Sequence, residues 1–126
     1  MSKEIISTPN APAAIGPYSQ AVKTGNMVFL SGQIPLIPET MEMIEGGVTE
    51  QAQQVFKNLA AVAEAAGGSL NDAVKVNISL TDLGDFAAVN DVMASVFDEP
   101  YPARACVQVA ALPRGAMVEI EVILAL

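Results

Sequence analysis

Met117-Val118-Glu119-Ile120-Glu121-Val122-Ile123-Leu124-Ala125-Leu126 alternates with period two, and its two rows differ in character. Val118, Ile120, Val122, Leu124 and Leu126 form an unbroken apolar row, as expected of a strand covered by helices. The opposite row, Met117, Glu119, Glu121, Ile123 and Ala125, is mixed, neither a core face nor a freely solvated one. A sheet with helices on one face, whose other face meets further copies of the chain, accounts for both rows.

Upstream segments supply the covering layer. Val48 to Ala66 reads as a helix, with Ala52, Val55, Phe56, Leu59, Val62, Ala63 and Ala66 on one stripe and Gly67-Gly68 as its stop. Ala73 to Leu80 alternates as a strand, Val74, Val76, Ile78 and Leu80 facing one way and Lys75, Asn77 and Ser79 the other. Asp82 or Asp85 can cap a second helix running to about Phe97, on which Phe86, Val89, Met93 and Phe97 form the apolar stripe. Lys3 to Ser7 suits a short edge strand, followed by a Pro-rich approach from Thr8 to Pro17. Ala21 to Lys23 and Met27 to Ser31 read as a hairpin turned by Thr24-Gly25-Asn26, and Pro35 to Gly47 as an irregular loop. Ala103 to Val109 and Met117 to Leu126 flank the turn-like Leu112-Pro113-Arg114-Gly115, which predicts an antiparallel hairpin between them. The expectation is an α+β fold in one domain over residues 1–126, both helices on one face of the sheet.

Composition narrows the function. Apolar residues make up 52% of the 126 and charged residues only 16%, too little charge for the whole surface of a monomer. Six cations face fourteen carboxylates for a net charge of −8, with no basic stripe to track phosphates, so nucleic acid is not the expected partner. No apolar segment approaches membrane-spanning length, the N-terminus does not read as a secretory signal, and a single cysteine fits a reducing compartment. A cytoplasmic protein is expected. The absence of histidine excludes imidazole-activated nucleophiles within one chain and the usual His/Cys zinc sites.

Against that background Arg104 stands out, because it lies in Tyr101-Pro102-Ala103-Arg104-Ala105-Cys106-Val107-Gln108-Val109, which otherwise reads as a strand made for an interior. A guanidinium there is either locked to an internal acid or set to meet an anionic ligand. Alternation groups Arg104 with Cys106 and Gln108, and the expected hairpin sets them opposite Glu119 and Glu121. Spacing alone slightly favours an internal ion pair, but two acids compete for one Arg, whose planar fork also suits a substrate carboxylate. Asn90, one helical turn after Phe86, is expected to be a buried amide in need of partners. Cys106 reads as a small cavity-lining residue rather than a nucleophile.

Four blocks then match a known pattern: Gly16-Pro17-Tyr18-Ser19-Gln20-Ala21-Val22, Ser31-Gly32-Gln33, Asp85-Phe86-Ala87-Ala88-Val89-Asn90, and Pro102-Ala103-Arg104-Ala105-Cys106-Val107 through Leu112-Pro113 to Val118-Glu119-Ile120-Glu121. In order and spacing, over essentially the whole chain, they resemble the RidA/YjgF family of reactive-intermediate deaminases. The resemblance implies a chorismate-mutase-like fold with a mixed sheet, assembled as a homotrimer with active sites in intersubunit clefts. It implies hydrolysis of 2-imino acids or enamines such as 2-aminoacrylate, released by pyridoxal-phosphate enzymes, to 2-keto acids and ammonia, with no metal or organic cofactor. A binding protein that senses small 2-keto acids in the same cleft is the alternative. Roles described for some members as ribonucleases or translation inhibitors fit the acidic, histidine-free chain least. By position, Arg104 would clamp the substrate carboxylate and Glu119 would orient or deprotonate the attacking water. Tyr18, Ser31, Asn90 and Cys106 would line the pocket, and Gly32 would offer backbone contacts. Glu121 matches no catalytic position of the family and remains a rival partner for Arg104. Met93 stands where many members have tyrosine.

Overall fold

The computed structural model describes residues 2–126, which build one six-stranded mixed sheet with two α-helices. In chain order the strands are β1 (Glu4–Ile6), β2 (Ala21–Thr24), β3 (Met27–Gln33), β4 (Ala73–Leu80), β5 (Ala103–Gln108) and β6 (Val118–Ala125). The helices are α1 (Val48–Ala65) and α2 (Phe86–Val96). Spatial order is β1-β2-β3-β6-β4-β5, antiparallel throughout except that β4 and β5 run parallel.

Both helices press on one face. Every residue of the α1 stripe is buried, as are Val76, Ile78 and Leu80 of β4 and Val118, Ile120, Val122 and Leu124 of β6. The Phe97 ring, just beyond α2, meets Phe56 of α1 edge-on at 5.7 Å. Glu50 accepts from the Gly47 amide at 2.8 Å to close the start of α1. At its end Gly67, at φ +93°, permits the 3.0 Å bonds Gly67 N–H to Glu64 O and Gly68 N–H to Ala63 O, a Schellman stop. Asp82 caps only a short turn before α2, through Gly84 N–H at 2.8 Å, and Asp85 precedes the helix without a side-chain cap.

The strand after Tyr101 departs from expectation. β5 and β6 do not form a hairpin: β5 pairs parallel with β4, and the chain then crosses β4 so that β6 lies between β3 and β4. Burial decides this. β6 offers a fully apolar helix-side row and takes the centre of the sheet. The corresponding row of β5 carries Arg104 and Gln108, which a central strand could not bury without cost, so β5 is an edge strand. Nor is it interior within one chain, since Ala103, Arg104, Ala105, Val107 and Gln108 are all exposed. Val74 falls at a β4 irregularity and is 44% exposed, and Leu126 lies beyond β6, exposed rather than in the core row.

Buried amides fasten the irregular segments. Gln20 accepts from Thr8 N–H at 2.7 Å and directs its amide NH₂ at the carbonyls of Thr8, Ala11 and Pro12, at 3.1, 3.3 and 2.8 Å. Asn58 of α1 donates to Leu36 O at 2.9 Å, anchoring the loop between β3 and α1. Replacing Gln20 by Ala strands several backbone groups and is expected to lower the unfolding free energy by about 1–3 kcal/mol. A denaturant midpoint equal to the parent's would contradict this.

Candidate active site

Arg104 lies on the helix-covered side of the sheet. It pairs with Val76 across the parallel β4–β5 ladder, and its side chain reaches α2. Nη1 donates to Asn90 Oδ1 at 2.6 Å and approaches Met93 Sδ at 3.8 Å, while the guanidinium stacks 5.0 Å from the centre of the Phe86 ring. Both bonds leave from Nη1, so Nε and Nη2 have no hydrogen-bond partner among the described residues. Asn90 is thus exposed rather than buried, and its amide oxygen orients the guanidinium. Asn90, Met93, Tyr101, Pro102 and Arg104 border a concavity of about 500 Å³.

Glu119 and Glu121 occupy the opposite, uncovered side. They pair with Ser79 and Asn77 of β4, and Glu121 accepts from Asn77 Nδ2 at 3.1 Å. Glu121 therefore does not occupy the Arg104 fork, and the expected Arg104–carboxylate juxtaposition is replaced by separation through the sheet. Glu119 borders a second cavity of about 440 Å³ with Tyr18, Gly32 and Arg114, completed by the apolar side chains of Ile34, Leu36 and Met41. Burial pushes the Glu119 carboxyl above its ordinary range, and the Glu121 charge adds to the effect.

A bulge in β3 shapes this second cavity. Leu30 pairs with Val122 but Gln33 with Ile120, so two residues, Ser31 and Gly32, oppose one on β6. A Cβ on Gly32 would stand 3.1 Å from Glu119 Cδ, so the missing side chain makes room for the carboxylate. Ser31 Oγ donates to Ser19 O at 2.5 Å, and neither Ser31 nor Cys106 borders either cavity. Cys106 shares the Arg104 row, half-buried; burial raises its thiol pKa, partly offset by the guanidinium. Among the described residues no group of three or more His, Cys, Asp or Glu could hold a metal ion.

Tyr101 and Arg114 also border the cavities, although neither is among the expected site residues. Tyr101 adjoins the Pro102-Ala103-Arg104 block, a usable signal, whereas Arg114 was hidden in an ordinary turn sequence. Five of the seven expected site residues divide between the cavities, Asn90 and Arg104 in one, Tyr18, Gly32 and Glu119 in the other.

Residues 8–126 match the family model described as Endoribonuclease L-PSP. A Dermatophagoides farinae protein named 2-iminobutanoate/2-iminopropanoate deaminase is 56% identical over 94% of this chain and 93% of its own. The crystal structure of RidA from Psychrobacter sp. PAMC 21119 superposes with TM-score 0.95 at 62% identity, covering 98% of this chain and 99% of that one. Escherichia coli TdcF, solved with bound serine, gives TM-score 0.93 at 48% identity, covering 98% of each chain.

Gly32→Ala pushes a methyl group against a flexible carboxylate. The variant should fold with stability within about 1 kcal/mol of the parent while the Glu119 carboxylate moves by a few tenths of an ångström. A crystal structure with Glu119 unmoved would contradict the close-packing role given to Gly32.

Proposed function

The chain belongs to the Endoribonuclease L-PSP family, the RidA/YjgF family its motifs resemble, and on that footing we propose that it hydrolyses 2-imino acids and their enamine tautomers to 2-keto acids and ammonia. Arg104 carries this reading: an exposed guanidinium in an acidic chain, stacked on Phe86 and oriented by Asn90, with its Nε and Nη2 donors left for a ligand. That edge suits a bidentate carboxylate. The ligand named in the TdcF structure, serine, carries a carboxylate beside a nitrogen-bearing carbon, as a 2-imino acid does.

In the proposed reaction Arg104 fixes the carboxylate and presents the C=N carbon to a water beside Glu119. As the water oxygen bonds to that carbon, Glu119 accepts the water proton, giving a neutral carbinolamine from the iminium. The protonated carboxyl returns the proton to nitrogen, the C–N bond breaks, and ammonia leaves as the regenerated Glu119 carboxylate takes the hydroxyl proton and the C=O bond closes. Adding water to a protonated imine has a modest barrier, so carboxylate, guanidinium and orientation are adequate equipment. A raised Glu119 pKa makes it a stronger base near neutrality.

Arg104 and Glu119 cannot meet on one small substrate within a chain. They project from opposite faces of strands separated by β4, two inter-strand spacings or about 10 Å apart. The proposed site is therefore a cleft between chains in a homotrimer, Arg104 and Asn90 from one and Tyr18, Gly32 and Glu119 from the next, with Cys106 and Ser31 beside these residues on β5 and β3 rather than in the cavity linings. The exposed edge of β5 and the exposed Phe29 and Val107 on the uncovered face support such an assembly. Among the described residues no helix is long and apolar enough to cross a membrane; the proposed setting is the cytoplasm, where pyridoxal-phosphate enzymes release 2-aminoacrylate and related imines.

Coupled to an amino-acid oxidase that generates 2-iminopropanoate, the protein should accelerate keto-acid release. Arg104→Ala should lower kcat/KM about a hundredfold, mainly through KM, and Glu119→Gln should lower kcat by at least about a hundredfold. Keto-acid binding by calorimetry without turnover would instead favour a sensor. Because Glu119 acts as the base, activity should fall as pH drops through its raised pKa, giving an acidic limb above the ordinary glutamate range. Glu121→Gln removes a neighbouring negative charge and should move that limb to lower pH; an unmoved limb would refute the assignment.

A further inference from the structure

Among the described residues two non-glycine residues adopt positive φ, Met41 at 60° and Arg114 at 59°, and both border the Glu119 cavity. Such left-handed conformations are disfavoured for side chains of this size and persist where the surroundings over-determine them. The two are joined: Arg114 Nη1 donates to Met41 O at 3.0 Å, across 73 residues of chain.

The segment around Met41 is a small hairpin set against the cavity. Leu36 bridges Met43, Ile44 N–H donates to Pro35 O at 2.9 Å, and Met41 N–H closes the tip on Ile37 O at 2.7 Å. Its base is fixed to α1 by Asn58, itself bonded to Gln54 at 2.9 Å. At the tip, the bond from Arg114 ties the hairpin to the turn that leads into β6, five residues before Glu119 near that strand's start. Ile34, Leu36, Met41 and Pro113 make the wall on this side largely apolar, whereas Glu119 supplies the polar end.

Resting on the imine-hydrolase reading above, we infer that the Arg114–Met41 link is a latch that sets substrate selectivity. It holds the hairpin so that the apolar wall forms a compartment of fixed width beside Glu119, which receives the hydrocarbon side chain of the imino acid. The preferred substrates are then imino acids with extended or branched aliphatic side chains rather than polar ones. Arg114 is a positioning residue here, acting through the Met41 carbonyl rather than on the reacting atoms.

The test compares 2-iminopropanoate with the imine of leucine, each generated in situ by an amino-acid oxidase. Arg114→Ala should lower kcat/KM for the leucine-derived imine about five- to tenfold more than for 2-iminopropanoate, with the difference in KM. Met41→Ala, which trims the wall but keeps the backbone carbonyl, should bias selectivity in the same direction. Equal effects of Arg114→Ala on both imines, or none on either, would overturn the latch. A wild-type protein that accelerates neither imine defeats the hydrolase reading instead. Calorimetry with 4-methyl-2-oxopentanoate and pyruvate then decides the latch alone: a selective loss of the branched keto acid in Arg114→Ala upholds it, and an equal response overturns it.

Discussion

Period-two alternation across three adjacent strands governs this site, because it sends Arg104 of β5 toward the helices and Glu119 and Glu121 of β6 to the bare side of the same sheet. No rotamer change reverses that. The guanidinium is thereby spared a carboxylate partner in its own chain, and α2 supplies only a neutral amide and an aromatic face to hold it. A cation restrained in this way keeps its charge available at little reorganisation cost, which is the condition for clamping an anion.

On the proposed reading the same arrangement leaves each chain with two half-sites. One cavity has Arg104 and no acid in its lining, and the other has Glu119, Tyr18 and the bulge that brings Gly32 against the carboxylate. The low share of charged residues, an uncovered mixed sheet face and an open β5 edge fit the proposed oligomer, in which neighbouring copies cover these surfaces. The proposed intersubunit cleft joins the two halves and accounts for these features together.

Much of the fold was legible where one local period dominates. The α1 stripe, the helix-side row of β6 and the β2–β3 hairpin follow from residue spacing because each buries a face that no other conformation would bury. The placement of β5 was not legible, since Leu112-Pro113-Arg114-Gly115 has the composition of a hairpin turn while the actual pairing is a non-local parallel crossover. That error carried over to the site: a β5–β6 hairpin sets Arg104 against Glu121, whereas the intervening β4 puts them on opposite faces. An amide beside an apolar stripe marks Asn90 in the sequence as needing a partner, and that partner is the Arg104 guanidinium at the surface. The Arg114–Met41 bond had no sequence signal, because it joins a turn and a loop that neither periodicity nor spacing relates.

The most direct test of a shared cleft is complementation between two crippled chains. Arg104→Ala and Glu119→Gln are each expected to be nearly inactive alone. Co-expressed or co-refolded in equal amounts, they generate clefts that take Arg104 from one chain and Glu119 from the other. Random mixing makes about a quarter of the clefts intact, so activity should return to about that fraction of wild type. Mixed oligomers, verified by mass spectrometry, that remain as inactive as either variant alone would contradict the shared site.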